Sequence, residues 1–386
     1  MTAVESLVDP EELYRGTIAK EIVEGIKAPL LDYQADPYDG GSLVMGILAA
    51  PLFRVLGPSL FVLKLVPLAF SFGTLLLLLL FLRRFFDEPT AFLGGLLLTL
   101  SPPNFTALSL TAIGSHTESI FFSILILYCF YRFTFEENHS LFWSAAFGLA
   151  AGTGCWFTSI TGITVLACLL SWFLMGCPGR SQKAVLFFCG ALFAGLLPFI
   201  SYNLSHRFRG IRFVLGVFSW GYSDAHSLLY FPRMIFLKLI QLVSYQIPQL
   251  LNFEPAGKIP ASFFAIFYYG LSACGIIFFY GQEFVQWIRK KSGIDKTLPL
   301  LLYPVIFLAA YGLSYYEIDS IGSSVDSRYL IPLQFFSLIL LALGVRRMKE
   351  RRIFFYCGFA FRDHRSENTS LPRTLGKGIP VQRLFL

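Results

Sequence analysis

Three carboxylates fall within four residues near the start of the chain, in the run Asp9-Pro10-Glu11-Glu12-Leu13-Tyr14. Nine of the protein's 24 acidic residues lie between positions 5 and 41. Most of the 386-residue chain is instead apolar: 55% of its residues are hydrophobic, 14% are charged and the mean hydropathy is +0.63. Soluble domains carry about 25% charged residues, so this composition is that of a polytopic membrane protein. A carboxylate at the edge of lipid is partly desolvated, which raises its pKa toward the range where a general base works. A positioned base contributes about 10²–10⁴-fold to a rate. Glu11 is the first candidate for that role, with Asp9 and Glu12 as alternatives. The same acids also fit a plain structural duty, because Asp9-Pro10 makes a good N-cap and first-turn pair.

Positive charge that could receive a phosphate is found further along. Arg207, Arg209 and Arg212 follow the end of an apolar segment, Arg233 and Lys238 lie on an amphipathic stretch, and Arg328 opens the last apolar segment. Such groups just outside a bilayer can hold a lipid-linked phosphate or ordinary anionic headgroups. His116 and Glu118 form an ionisable pair at the mouth of another apolar segment, a site hypothesis in its own right. Glu118 could orient an acceptor or ligate a metal. A divalent metal is possible, but one His beside one carboxylate is poor support for it. Asp36, Asp39, Glu317, Asp319 and Asp326 could line the same cavity, although nothing specific selects them. The seven cysteines include no CxxC pair and read as small packing residues. No basic–aromatic interleaving points to nucleic acid, and no phosphate-cradling glycine loop, nucleophile elbow or zincin motif is present.

These groups must be positioned by membrane helices. A spanning helix needs about 20 mostly apolar residues. The candidates are 60–82, 89–108, 117–134, 141–156, 160–176, 184–201, 262–281, 298–315 and 329–345. The connectors 83–88, 135–140, 177–183 and 282–297 hold eight Lys and Arg residues, whereas 109–116, 157–159 and 316–328 hold one. The basic side is the cytoplasmic one. Residues 1–59 and 202–261 are then outside, and the tail from 346 to 386 is cytoplasmic, basic and disordered. No apolar segment precedes the acidic stretch, so a missing first helix or a misplaced start is expected. Residues 12–25 carry a helical stripe of Leu13, Ile18, Ile22 and Ile26. Residues 42–57 and the stretch around Arg233 and Lys238 read as interfacial helices. The expected architecture is thus an all-α polytopic membrane protein. It has an outer acidic loop at 1–59 and a bundle of about nine transmembrane helices over 60–345, with interfacial helices in two outer loops.

The order of these parts resembles the GT-C superfamily of membrane glycosyltransferases, in particular the bacterial branch related to protein O-mannosyltransferases and the lipid A aminoarabinose transferase. The likeness covers about residues 9–345. It rests on the acidic outer loop ending in a short hydrophobic helix and Gly57-Pro58-Ser59, on a span ending in Arg83-Arg84, on the hairpin with His116 and Glu118, and on the Arg328-Tyr329-Leu330 helix start. It implies a glycosyltransferase, of hexosyl or pentosyl groups, in the bacterial inner (plasma) membrane. A polyprenyl-phosphate sugar donor would supply a lipid, glycan or protein acceptor on the outer face. Glu11, three residues before Tyr14, falls where the family's second acid would stand. Pro10 takes the place of the first acid, with Asp9 one residue further off. The resemblance also favours Arg328 and Tyr329 for the donor phosphate. Two alternatives belong to other classes: a non-catalytic or truncated relative, and a lipid or solute transporter. The acids speak against transport, since they gather at one surface instead of the bilayer midplane.

Overall fold

A computed structural model describes residues 10–26, 40–136, 140–179, 181–216, 230–242, 246–247, 296–314 and 327–347. These residues are helical, with turns between, and no strand occurs among them. The helices are α1 (Pro10–Glu24), α2 (Gly40–Leu56), α3 (Leu60–Phe85), α4 (Glu88–Thr99), α5 (Pro103–Leu108), α6 (Thr117–Thr134) and α7 (Leu141–Phe157). They continue as α8 (Thr161–Leu174), α9 (Gln182–Ser205), α10 (Arg209–Gly216), α11 (Tyr230–Gln241), α12 (Leu298–Leu313) and α13 (Arg328–Arg347). A 3-10 turn, Ser327–Leu330, opens the last. The predicted span at 262–281, the tail beyond 347, Asp9, Asp36, Asp39, Glu317, Asp319 and Asp326 lie outside the described residues, as does the side chain of Arg233.

Helices α3, α9 and α13 are long and apolar enough to cross a membrane, while α2, α7, α8 and α12 are shorter apolar helices. Local sequence sets their starts. Ser59, Asp87, Ser140 and Ser181 each accept a backbone N–H of the first turn that follows, satisfying donors a helix start leaves open. The predicted span 89–108 is in fact two helices, α4 and α5, broken at Ser101-Pro102. Consecutive Pro102 and Pro103 supply no N–H, and a residue before proline is pushed out of helical geometry.

The bundle core gathers around α6, which packs on α3, α7 and α8, while α8 also meets α12. Phe81, Phe130, Tyr131, Phe335 and Phe336 are buried there. Small residues bring α7 and α9 together: a Cβ on Gly152 would lie 2.3 Å from the Leu192 carbonyl oxygen, so only glycine permits this approach. Ser144 Oγ adds a 2.6 Å hydrogen bond to the Ala184 carbonyl. A second, smaller apolar cluster joins α1, α2 and α3 through Ala19, Met45, Ala49, Phe53, Val62, Leu63 and Val66. Here the predicted stripe on α1 needs correction. Leu13 is 57% and Ile26 68% exposed, and the buried face carries Glu12 and Arg15 beside Ile18 and Ala19. Partners described below compensate the two charges.

At the opposite end of the bundle the charges form ties. Asp87 Oδ1 caps α4 at 2.7 Å from Thr90 N, and Asp87 Oδ2 accepts from Arg346 Nε at 2.7 Å, fastening the end of α13 to the α3–α4 turn. Glu136 receives both Arg84 and Arg132 at 3.0 Å. Burial works to raise the Asp87 pKa, but the hydrogen bonds from Arg346 and Thr90 and the Arg346 charge outweigh it and hold the carboxyl below its ordinary value. The stability it contributes is therefore present above the unfolded carboxylate pKa and lost as pH falls through the lower folded value. We expect Asp87→Ala to reduce stability in detergent by about 1 kcal/mol at pH 7. That difference should shrink as the pH falls from the unfolded carboxylate pKa through the lower folded one, as measured by thermal unfolding of both proteins across an acid series.

Candidate functional site

The first turn of α1 sends its two adjacent acids in different directions, since successive helical residues are about 100° apart. Glu12 turns inward and is fully buried. Its carboxylate accepts Lys64 Nζ at 2.9 and 3.0 Å, and its Oε1 accepts the Ala112 backbone N–H at 2.7 Å. Lys64, one turn into α3, also donates to the Leu110 carbonyl at 3.3 Å. Arg15, on the same face of α1, donates through Nε to the Ile113 carbonyl at 3.0 Å. Three α1 and α3 side chains thus hold the backbone of 110–113, the loop leading from α5 to α6. The loop lies so close that a Cβ on Gly41 would fall 1.5 Å from the Gly114 carbonyl oxygen, and Gly114 itself has φ +78°. Two glycines are required here, one for space and one for conformation.

Glu11 turns outward, and its side chain is 40% exposed. Arg15 grips it twice, through Nη1 to the Glu11 carbonyl at 2.9 Å and through Nη2 to Oε2 at 3.3 Å. Arg328 Nη2, from the opening turn of α13, reaches Oε1 at 3.2 Å. The carboxylate therefore bridges two guanidinium groups, one on its own helix and one 317 positions further along the chain than Glu11. The next residue, Tyr329, stands edge-to-face on the buried His116 ring, with centroids 4.8 Å apart and planes at 86°. Burial, followed by the charges of Arg328 and Arg15, pushes the His116 pKa down to about 3. The imidazole is neutral in the folded protein, so stability is complete above the unfolded value of about 6.5 and declines as pH falls below it.

Glu118 is buried at the start of α6, accepting from Gly114 N at 3.2 Å and from Thr117 Oγ1 at 3.3 Å. Its oxygens close the loop ahead of their own helix. No group of three metal-ligating side chains occurs among the described residues. Lys238 is buried and donates to the Ser314 carbonyl at the end of α12; burial pulls its ammonium down to about 8. Arg207, Arg209 and Arg212 are exposed on the corner between α9 and α10. The structure thus brings together Glu11, Glu12, His116, Glu118, Arg328 and Tyr329, whereas Lys238 and the three arginines of the corner stand on other elements. Sequence reasoning passed over Arg15 and Lys64. An ionisable residue four positions into a spanning helix was the available signal for Lys64.

Removing one member of the Glu12–Lys64 pair leaves a buried charge without its counter-ion, at a cost of about 3–5 kcal/mol. Glu12→Ala should therefore unfold well below the wild type in a thermal melt in detergent. The double variant Glu12→Ala/Lys64→Met should recover a large part of the loss.

Comparison with known proteins bears on the fold. No family model matches the chain, and no curated protein matches it. Among solved structures it is similar to the crystal structure of ArnT from Cupriavidus metallidurans bound to undecaprenyl phosphate, with a TM-score of 0.55 at 13% identity. The apo state of the same protein gives a TM-score of 0.49 at 12% identity. Each match covers 88% of this chain and 56% of the ArnT chain, so the chain spans little more than half the length of that protein. ArnT is the lipid A aminoarabinose transferase, with a GT-C fold.

Proposed function

The chain is an integral membrane protein with an ArnT-like, GT-C arrangement of helices, and from this premise we propose that it is a membrane glycosyltransferase. In this reading a sugar passes from a polyprenyl-phosphate-linked donor to a hydroxyl or amine of a lipid, glycan or protein on the outer face of a bacterial inner membrane. The observation that carries it is Glu11, a partly exposed carboxylate fixed between Arg15 and Arg328. The ArnT structure has undecaprenyl phosphate bound, which supports a polyprenyl phosphate as the leaving group here.

The chemistry asks for a base beside a cation. Glu11 takes the proton of the acceptor as the acceptor's oxygen or nitrogen bonds to the anomeric carbon. The bond from that carbon to the phosphate oxygen breaks, and the electron pair leaves with the polyprenyl phosphate. Arg328, beside Glu11, meets the added negative charge on that phosphate. Neutral His116 adds no further charge. Its ring, packed against Tyr329, braces the turn that presents Arg328. Glu12 has a supporting part, since its oxygens are committed to Lys64 and Ala112.

A second reading, a relative without transfer activity, has one observation in its favour: Pro10 occupies the place of the first acid. The two readings separate in membranes supplied with a synthetic polyprenyl-phosphate sugar. On the first, wild type transfers sugar and Glu11→Gln is slower by about 10²–10⁴-fold at unchanged protein abundance. Wild-type rates in the Glu11→Gln protein would remove Glu11 from the role of base. Donor left unconsumed by wild type would favour the inactive relative.

A further inference from the structure

The corner between α9 and α10 is a built feature with no part in the site described above. Asn203, buried in the last turn of α9, donates through Nδ2 to the Phe199 carbonyl at 2.8 Å, and its Oδ1 accepts the Ile211 N–H at 2.9 Å. Its own carbonyl accepts from Phe208 N at 2.7 Å. Arg207 and Phe208 adopt left-handed backbone, at φ 52° and 60°, which residues with a Cβ rarely do. Gly210 lets α10 lie against Phe199 and Asn203, which a Cβ there would meet at 3.1 and 3.2 Å. The chain is thereby turned sharply at the end of a helix long and apolar enough to span a membrane.

This turn fixes what α10 presents. Arg209 and Arg212, three positions apart, share one flank of the helix; Ile211 and Leu215, four apart, share another. All four side chains are exposed, as are Leu204 and Phe208 beside them. Arg212 Nη2 is drawn over the corner by a 2.6 Å bond to the Arg207 carbonyl. No acidic residue occurs from 201 to 216. A short helix with a basic flank beside an apolar one, at the end of a span, matches the boundary between phosphates and acyl chains.

We propose that the α9–α10 corner docks on anionic phospholipid headgroups of the surrounding bilayer, with Arg209 and Arg212 on the phosphates and Ile211 and Leu215 in the acyl region. The site rests on this corner alone and does not depend on glycosyl transfer.

The test is native mass spectrometry of the purified full chain titrated with phosphatidylglycerol or phosphatidylcholine of the same acyl chains. Wild type should retain phosphatidylglycerol in preference, less so as salt rises. Each neutralised arginine should weaken that preference by about fivefold, and Arg209→Gln/Arg212→Gln by roughly 25-fold. Arg209→Lys/Arg212→Lys should keep most of it. Leu215→Ser, which leaves the charges in place, should weaken both lipids alike. An unchanged preference in the double Gln variant overturns the proposal. So does displacement of phosphatidylglycerol by equimolar undecaprenyl phosphate in wild type but not in the double Gln variant, which would make the corner a carrier site.

Discussion

The buried pairing of Glu12 with Lys64 is the constraint from which the rest of the site follows. A carboxylate and an ammonium removed from water cost more than their attraction returns unless further hydrogen bonds complete them. Here the backbone of the 110–113 loop supplies those bonds, through the Ala112 N–H to Glu12 and the Leu110 carbonyl to Lys64. The pair is therefore stable only when the loop is pressed onto α1 and α3. The loop, in turn, reaches that position only because Gly41 and Gly114 let two backbones touch. Charge compensation and close packing each require the other.

Once the loop is seated, the exposed side of α1 is determined. Arg15 is anchored at Ile113 and can only hold Glu11 where it does. The His116 ring, carried at the end of the same loop, meets Tyr329 and so helps set the turn that carries Arg328. Adjacent carboxylates on α1 have consequently parted into unlike roles. One is sealed and serves as a counter-ion; its neighbour stays open to solvent between two guanidinium groups. Helical geometry alone causes the division, since residues one apart cannot share a face.

Much of the scaffold is legible in the sequence, because hydropathy acts over whole segments. The helices that cover the candidate spans at 60–82, 184–201 and 329–345 are α3, α9 and α13, each running a few residues beyond the apolar window. The break between α4 and α5 was written in Pro102-Pro103, yet an average over apolar residues hides a local loss of hydrogen bonding. The α1 face misled for a different reason. A hydrophobic stripe is a good guide where burial means contact with other apolar groups, and Leu13 and Ile26 satisfy the pattern while lying exposed. The true buried face holds Glu12 and Arg15, whose burial depends on Lys64 and, about a hundred positions away, on the Ala112 N–H and the Ile113 carbonyl of the loop. Nothing in a local window announces such partners. The Glu11–Arg328 contact is harder still to foresee, since 317 positions separate its members and only the assembled bundle brings them together.

Helix α13 connects the candidate site to the far end of the bundle. Its 20 residues, at about 1.5 Å of rise each, make a strut of about 30 Å, the thickness of a bilayer's hydrocarbon core. Arg328 at one end bonds Glu11, and Arg346 near the other bonds Asp87. Between them most of the helix is buried among aromatic and aliphatic side chains, with Phe336 stacked on Tyr303. A strut pinned by charge-assisted bonds at both ends cannot slide by a helical turn without breaking one of them. The height of Arg328 beside Glu11 is thus set partly by a tie about 30 Å away. A site assembled from the first and last described helices is held in register by the opposite surface of the protein as well as by its own contacts.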